Sequence, residues 1–345
     1  MDVAVVGQWL VTGLLDLTSD LTVLDAADHG RWVVIMPFDG PPLCARFDRW
    51  GPHVDQRASV ARSPVGGPWA SNVDRSGYAA GVRAIRASIA AGEVYQVNLC
   101  RRLSAPLPPS FDVLGLAAAL ARGNPAPYAA TVQIPSADLA VVSASPELFL
   151  RRRGDAVETR PIKGTAAPGS RFLDKDRAEN VMIVDLMRND LGRVCEYGSI
   201  DVPSLCGEER HPGLSHLVST VRGKLRPDVG WVELLAATFP PGSVTGAPKL
   251  AALGMVRRLE PLPRGVYCGA IGWVDTGRST GELNVAIRTF WADDGRLHLG
   301  TGAGITWSST PEGEWEETEL KARRLLSVVS GSLGGSAAEA ADRSA

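Results

Sequence analysis

Three β-rich runs late in the chain, Tyr267 to Val274, Glu282 to Trp291 and Arg296 to Thr301, are separated only by Thr276 to Gly281 and Ala292 to Gly295. Connections that short cannot carry a crossover helix, so the runs predict an antiparallel meander rather than a βαβ array. Earlier runs at Trp32 to Phe38, Tyr128 to Ile134, Leu139 to Ser143 and Leu148 to Arg152 also read as strands. Helical periodicity covers Gly77 to Ala91, Val113 to Ala121, Lys175 to Arg193, Trp231 to Thr238, Lys249 to Glu260 and Glu312 to Val329. Strands and helices do not alternate one to one, which points to the α+β class. The 37 glycines and 24 prolines fall in clusters that punctuate these elements, as at Gly164 to Ser170 and Pro240 to Pro248. No Gly-x-Gly-x-x-Gly turn, P-loop or internal repeat is present.

Charge removes further classes. Lys plus Arg number 36 against 38 Asp plus Glu, so no basic surplus is available for phosphates and nucleic-acid binding is not expected. No apolar run reaches the ~18–20 residues of a membrane span. Met1 to Leu17 lacks a basic leader and carries Asp2 and Asp16, so it does not read as a signal peptide and a cytoplasmic location is expected. The five scattered cysteines form no Cys-x-x-Cys pair and read as buried free thiols.

Polar groups set inside apolar patterns mark where a site belongs, and they begin at about Tyr78. In the helical stretch from Glu179 to Gly192, Glu179 projects beside Ile183, Leu186 and Asp190. A carboxylate there is desolvated and needs either an ion pair, with Arg177 or Arg188, or a metal. The last helix carries Glu312, Glu314, Glu316, Glu317 and Glu319. Its buried stripe runs through Trp315, Ala322, Leu325 and Val329, with Glu314, Glu317 and Lys321 at the border, able to point into a cleft; Glu317 and Lys321 also have i,i+4 spacing. Hard carboxylates from two helices would suit Mg2+. Gly300-Thr-Gly-Ala-Gly-Ile-Thr306 brings backbone N–H groups within reach of an anion. Strand alternation gives Arg288 the facing of Asn284, Ala286 and Phe290, as an ion-pair partner or a carboxylate receptor. Glu147 in Ser145-Pro-Glu147 and Lys163 in Arg160-Pro-Ile-Lys-Gly-Thr165 are surface residues or, if buried, an acid and a nucleophile.

These segments in order, with Gly92-Glu-Val-Tyr-Gln-Val-Asn-Leu99, Asp176-Arg-Ala-Glu-Asn180, His216-Leu-Val-Ser-Thr220, Gly242-Ser-Val-Thr-Gly-Ala-Pro-Lys249, Arg264-Gly-Val-Tyr-Cys-Gly-Ala-Ile-Gly272 and Glu314-Trp-Glu-Glu-Thr318, resemble the chorismate-utilising enzymes over about Tyr78 to Leu326. Within that family they resemble the aminodeoxychorismate branch. The resemblance implies two orthogonal antiparallel β-sheets forming a sandwich, helices outside and the site in the cleft between. It divides the chain into a shortened N-terminal region (1–75) contributing to the sheets, a catalytic domain (76–330) and a disordered tail (331–345).

The resemblance also assigns roles. Glu179 and Glu317, with Glu314 close by, would hold Mg2+ against the ring carboxylate of chorismate. Glu147 would protonate the departing 4-hydroxyl. Tyr267, Arg288, Lys321 and the backbone at Gly302, Ala303 and Gly304 would hold the substrate's carboxylates, while Thr245 and His216 line the ring. Thr165 is carried over as a substrate contact beside Lys163. Lys163 stands where the anthranilate enzymes usually have alanine, and in this branch it attacks C2 before ammonia attacks C4. Gln96 replaces the water-activating lysine of the isochorismate enzymes, and an amide has no useful basicity near neutral pH. The implied activity is amination of chorismate to 4-amino-4-deoxychorismate, for 4-aminobenzoate and folate; the alternative is anthranilate synthase component I. No glutaminase module is recognisable, so nitrogen is expected from a separate glutamine amidotransferase subunit or as free ammonia. A tryptophan-binding motif is not evident beyond the faint echo at Leu14-Leu-Asp-Leu17.

Overall fold

A computed structural model of the chain describes residues 1–331 except 27–29, 54–64, 66–67, 110, 167–170, 173 and 212–213. The expected tail therefore lies, from residue 332 on, outside the described residues. The strands are β1 (Val3–Val6), β2 (Trp9–Thr18), β3 (Arg31–Met36), β4 (Leu43–Pro52), β5 (Ala70–Ser71), β6 (Gln96–Pro106), β7 (Tyr128–Ile134), β8 (Leu139–Ser145), β9 (Leu148–Arg153), β10 (Ala156–Arg160), β11 (Ile162–Ala166), β12 (Asp201–His211), β13 (Leu214–Lys224), β14 (Gly246–Ala247), β15 (Ala270–Asp275), β16 (Thr280–Val285), β17 (Thr289–Asp293) and β18 (Arg296–Ile305). The helices are α1 (Arg75–Ala90), α2 (Val113–Gly123), α3 (Asp174–Gly192), α4 (Trp231–Thr238), α5 (Lys249–Leu259) and α6 (Pro311–Val329), one for each predicted helix.

Every strand pairing is antiparallel, in keeping with the α+β expectation. The two-sheet arrangement is not resolved as two separate sheets. One hydrogen-bonded path runs β6–β18–β17–β8–β7–β1–β2–β4–β3–β15–β16–β9–β10–β13–β12, with β2 joining two arms. The arms are cross-tied: Asn284 donates from Nδ2 to the Tyr128 carbonyl (2.8 Å), and the Ser145 hydroxyl to that of Val285 (2.6 Å).

The meander forms only in part. β15 pairs with β16 and β17 with β18, but the run predicted as Glu282 to Trp291 is broken. β16 turns to β9 and β17 to β8, and Arg288 between them has a φ of 52°, in the left-handed region. Simple alternation therefore does not set the facing of Arg288, because the run is not one continuous strand.

The arm that carries the site is a two-faced surface. Along β18 and β6, Ala303, Ile305, Val97 and Leu99 are buried against Tyr78, Val82 and Ile85 of α1 and against Ala252, Met255 and Val256 of α5. The residues between them, with period two, face the opposite way. Asp74 caps α1, accepting from the Gly77 N–H (2.7 Å), and Thr310 caps α6 with Pro311 in its first turn. α6 packs beside α2 through Ala322, Leu325, Val328 and Val329, which leaves Glu312, Glu316 and Glu319 exposed and Glu317 half-buried, while Glu314 is buried.

Candidate active site

Three glycines of β18 act as beds for three different side chains. A Cβ on Gly300 would sit 2.1 Å from the Tyr267 ring, one on Gly302 2.7 Å from Cys100 Sγ, and one on Gly304 2.2 Å from Gln96 Nε2 and 3.7 Å from Lys163 Nζ. The spacing of the Gly-x-Gly-x-Gly run thus lets an aromatic ring, a thiol and an amide lie flat on the strand. Gln96 is 1% exposed, and among the described residues neither its Oε1 nor its Nε2 has a partner. A buried amide left unpaired costs free energy unless a ligand completes it.

The edge of β18 beyond Leu299 is paired only with β6. Lys321 Nζ donates to the Gly302 carbonyl (3.0 Å) on the open side. In an antiparallel strand the N–H and C=O of one residue point the same way, so the N–H of Gly302, and by alternation that of Gly304, face that open edge, while Gly300, next to the Phe290–Leu299 pair, faces β17. Ala303 points its backbone at Leu99 of β6 and its methyl into the layer beneath. Of the three expected backbone groups, the N–H of Gly302 and Gly304 lie on the open edge and that of Ala303 points to β6.

Lys163 lies at an irregularity of β11, between Ile162 and Thr165, which re-aims the chain. Gly164 has a φ of 89°, and a Cβ there would lie 2.9 Å from Cβ of Asp176. Lys163 Nζ donates to the Ser243 carbonyl (2.9 Å). Burial pushes its pKa below the usual range, while the carboxylates of Glu179 and Glu147 pull it back up. Glu147 is 4% exposed, and burial raises its carboxyl to about 7. The Ser243 hydroxyl and the charges of Lys163 and Arg288 work downward on it. The backbone of Glu147 is fixed by Val285, whose N–H donates to its carbonyl (3.0 Å).

Ser243 was not picked out from the sequence, although it lies inside a motif that was. Its carbonyl receives the lysine, and its hydroxyl has no partner among the described residues apart from Glu147. Thr245, which was picked out, is fully buried with its hydroxyl 3.2 Å from the carbonyls of Pro241 and Gly242. Its side chain is spent within its own turn, whereas the Ser243 hydroxyl lies beside Glu147. A serine and a threonine two residues apart differ only in which way the turn aims them, and sequence does not reveal that.

His216 is buried on β13, opposite Thr165 of β11. The side chain of Thr165 is outside the described residues. Tyr267 is 6% exposed, its hydroxyl held un-ionised first by burial. Burial also lowers the pKa of Arg288, with Arg324 acting in the same direction and Glu147 opposing.

Glu179 pairs with neither Arg177 nor Arg188; Arg188 binds Asp185 instead. Burial raises Glu179, Lys163 and Lys175 oppose it, and the carboxylates of Glu317 and Glu314 add to the rise. Glu314 is 3% exposed; Lys175 Nζ lies 3.8 Å from its Oε1, and its Oε2 has no partner among the described residues apart from the Ser309 hydroxyl. Burial acts upward on Glu317, but Lys321, at 2.7 Å, prevails and the net shift is downward. Among the described residues no three acidic, His or Cys side chains are preassembled as a metal cage. Mg2+ does not need one, since it keeps waters and takes one or two carboxylates with the rest from substrate. The buried Glu314 carboxylate and the all-carboxylate donor set fit such an ion.

The chain matches the family model for chorismate binding enzymes over residues 46–327 and belongs to that family. It is 37% identical over 268 residues to aminodeoxychorismate synthase component 1 of Bacillus subtilis, covering 74% of this chain and 56% of that protein. It is 40% identical over 281 residues to an anthranilate synthase component 1 of Haloarcula marismortui, covering 76% of this chain and 55% of that one. The chain thus spans little more than half the length of these relatives. Its fold is shared with the menaquinone-specific isochorismate synthase of Escherichia coli, with a TM-score of 0.80, 21% identity, and coverage of 95% of this chain and 89% of that one. No helix among the described residues is long and apolar enough to cross a membrane.

The glycine beds give a direct prediction. Gly304→Ala forces only the flexible end of Gln96 to move, so the fold should survive with its melting temperature nearly unchanged. Misplacing Gln96 and crowding Lys163 should cost about 30-fold or more in kcat/KM. Thermal melts beside steady-state kinetics check both halves.

Proposed function

We propose that the protein aminates chorismate at C4, giving 4-amino-4-deoxychorismate. The observation that carries this reading is the Lys163 amine, held beside the buried acid Glu147 and next to the unpaired amide of Gln96. An amine with a lowered pKa has a larger neutral fraction, and only that form is a nucleophile. Glu147 gives its proton to the 4-hydroxyl, which leaves as water, while the Lys163 nitrogen bonds to C2 and the ring double bonds shift. Ammonia then bonds to C4, the double bonds shift back, and the C2–N bond breaks to return the lysine. The balance is one ammonia consumed and one water released. Arg288, Tyr267, Lys321 and the glycine edge of β18 hold the two carboxylates. Glu179, Glu314 and Glu317 would hold Mg2+, which when bound polarises the ring carboxylate. Ammonia is supplied by a separate glutamine amidotransferase subunit or from solution, and the product feeds 4-aminobenzoate and folate synthesis.

The second reading, amination at C2 with loss of pyruvate, is favoured by the anthranilate synthase relative at comparable identity. Lys163 weighs against it. Purified protein with chorismate, ammonium and Mg2+, its products separated by chromatography, decides between the two. The expected product is non-fluorescent aminodeoxychorismate, lost on addition of EDTA and restored by Mg2+. Fluorescent anthranilate in its place overturns the C4 assignment, and turnover unaffected by EDTA overturns the metal assignment.

A further inference from the structure

We propose that Arg264, paired with Glu260, is a positioning residue that sets the distance between the Ser243 turn and β6, and through them the placing of Lys163 and Gln96; this rests on the function proposed above. Arg264 is 4% exposed; its carbonyl accepts from the Tyr267 N–H (3.2 Å), while its guanidinium donates to none of the groups assigned to substrate. Its guanidinium uses all three nitrogens. Nη1 donates to the Val244 carbonyl (2.8 Å), Nη2 to the Asn98 carbonyl (2.7 Å) and to Glu260 Oε1 (2.6 Å), and Nε to Glu260 Oε2 (2.8 Å). Its own N–H is taken by Asp39 (2.7 Å), and its plane lies 4.4 Å from the Phe38 ring centroid. Glu260 completes the hub by accepting from the Cys100 N–H (2.8 Å).

The carbonyls it joins belong to the two segments that matter. Val244 follows Ser243, whose carbonyl receives the lysine amine. Asn98 lies two residues from Gln96, and its N–H reaches the Thr245 carbonyl (2.8 Å). β14 adds only two residues of pairing between that turn and β6, at Gly246 and Ala247. Without the guanidinium, the turn is tied to the β6 segment by this short ladder and by two bonds at its ends, Asn98 N–H to Thr245 and Tyr95 N–H to the Ala247 carbonyl (2.7 Å). A buried ion pair is a poor source of stability, since desolvating both charges offsets their attraction. A planar fork with five donors instead supplies direction, which a lysine ammonium at the same place cannot reproduce.

The test uses the full-length protein with Arg264→Lys and Glu260→Gln. Hydrogen exchange by mass spectrometry should accelerate about tenfold or more across residues 241–247 and 96–99, while β7, β8 and α6 exchange as in the unaltered protein. With chorismate and ammonium, kcat should fall about 30- to 100-fold in Arg264→Lys, with the KM for chorismate within about threefold, and less steeply in Glu260→Gln. Unchanged exchange in the turn, a uniform rise across the chain, or a raised KM at constant kcat overturns the proposal. If Arg264→Lys does not fold, Glu260→Gln carries the decision. If the unaltered protein forms no aminated product, the proposed function fails while the exchange measurement still decides the positioning role.

Discussion

Lys163→Ala is expected to lower amination at C4 about 1000-fold in kcat, roughly 4 kcal/mol of transition-state stabilisation. The change removes a group that acts only during the reaction, so the KM for chorismate should move little. In the proposed function, carboxylate recognition is assigned elsewhere, to Arg288, Lys321 and the β18 edge. Lys163→Arg keeps the charge near Glu147 and Glu179 but supplies no neutral amine, so it should be as inactive as alanine. That comparison separates a nucleophile from a mere counter-charge. The positive charge of Lys163 also helps to hold the Glu147 carboxyl down, so in Lys163→Ala the residual alkaline limb should move above that of the unaltered enzyme. Stopped single turnovers followed by mass spectrometry provide the check. A covalent adduct at residue 163 in the parent and none in either variant is the expected result. Undiminished turnover of the alanine variant rules out attack by this amine.

Much of the architecture was legible because local patterns agree with it. All six helices lie where apolar periodicity put them, and the antiparallel pairing followed from connections too short for a crossover. The N-terminal strands were not marked: β1 is a four-residue apolar run too short to show a period, and the mixed burial of β2 and β4 gives no clean alternation. β6, the central strand of the site, was also missed. Its run of Gln96, Asn98 and Arg101 reads as polar loop until Glu260, Thr318 and the glycines of β18 are seen to receive it. The break at Arg288 could not be foreseen, since a left-handed residue between two strands depends on which neighbours each half pairs with. Motif order supplied the candidate residues; their directions came from tertiary contacts. That is why the Thr245 hydroxyl turns into its own turn and Ala303 into the layer beneath, while the Ser243 hydroxyl meets Glu147 and Gly304 meets Gln96.

Glu147→Gln should be the other disabling change, and its pH behaviour tests the cause. The carboxyl must be protonated to release the 4-hydroxyl as water, and burial raises it from the ordinary 4.5 to about 7. Activity of the unaltered enzyme should therefore fall about tenfold per pH unit above that value. Lys163 must be neutral to attack, a form that its burial favours and the carboxylates of Glu179 and Glu147 oppose. In Glu147→Gln the amide cannot give up a proton to the leaving group. kcat should drop about 1000-fold and the alkaline limb should vanish. Stability should respond in the opposite sense. A carboxyl whose folded pKa is raised stabilises the fold below its unfolded pKa near 4.5, and that contribution is lost as pH rises through about 7. The shift corresponds to about 3 kcal/mol, so the parent should melt lower at pH 8 than at pH 5 through this group, and the glutamine variant should lack that component. At pH 8 the inactive variant should thus be the more stable of the two. If it is instead equally or less stable at every pH, Glu147 is not held protonated by burial, and the acid of the reaction has to be sought elsewhere in the cleft.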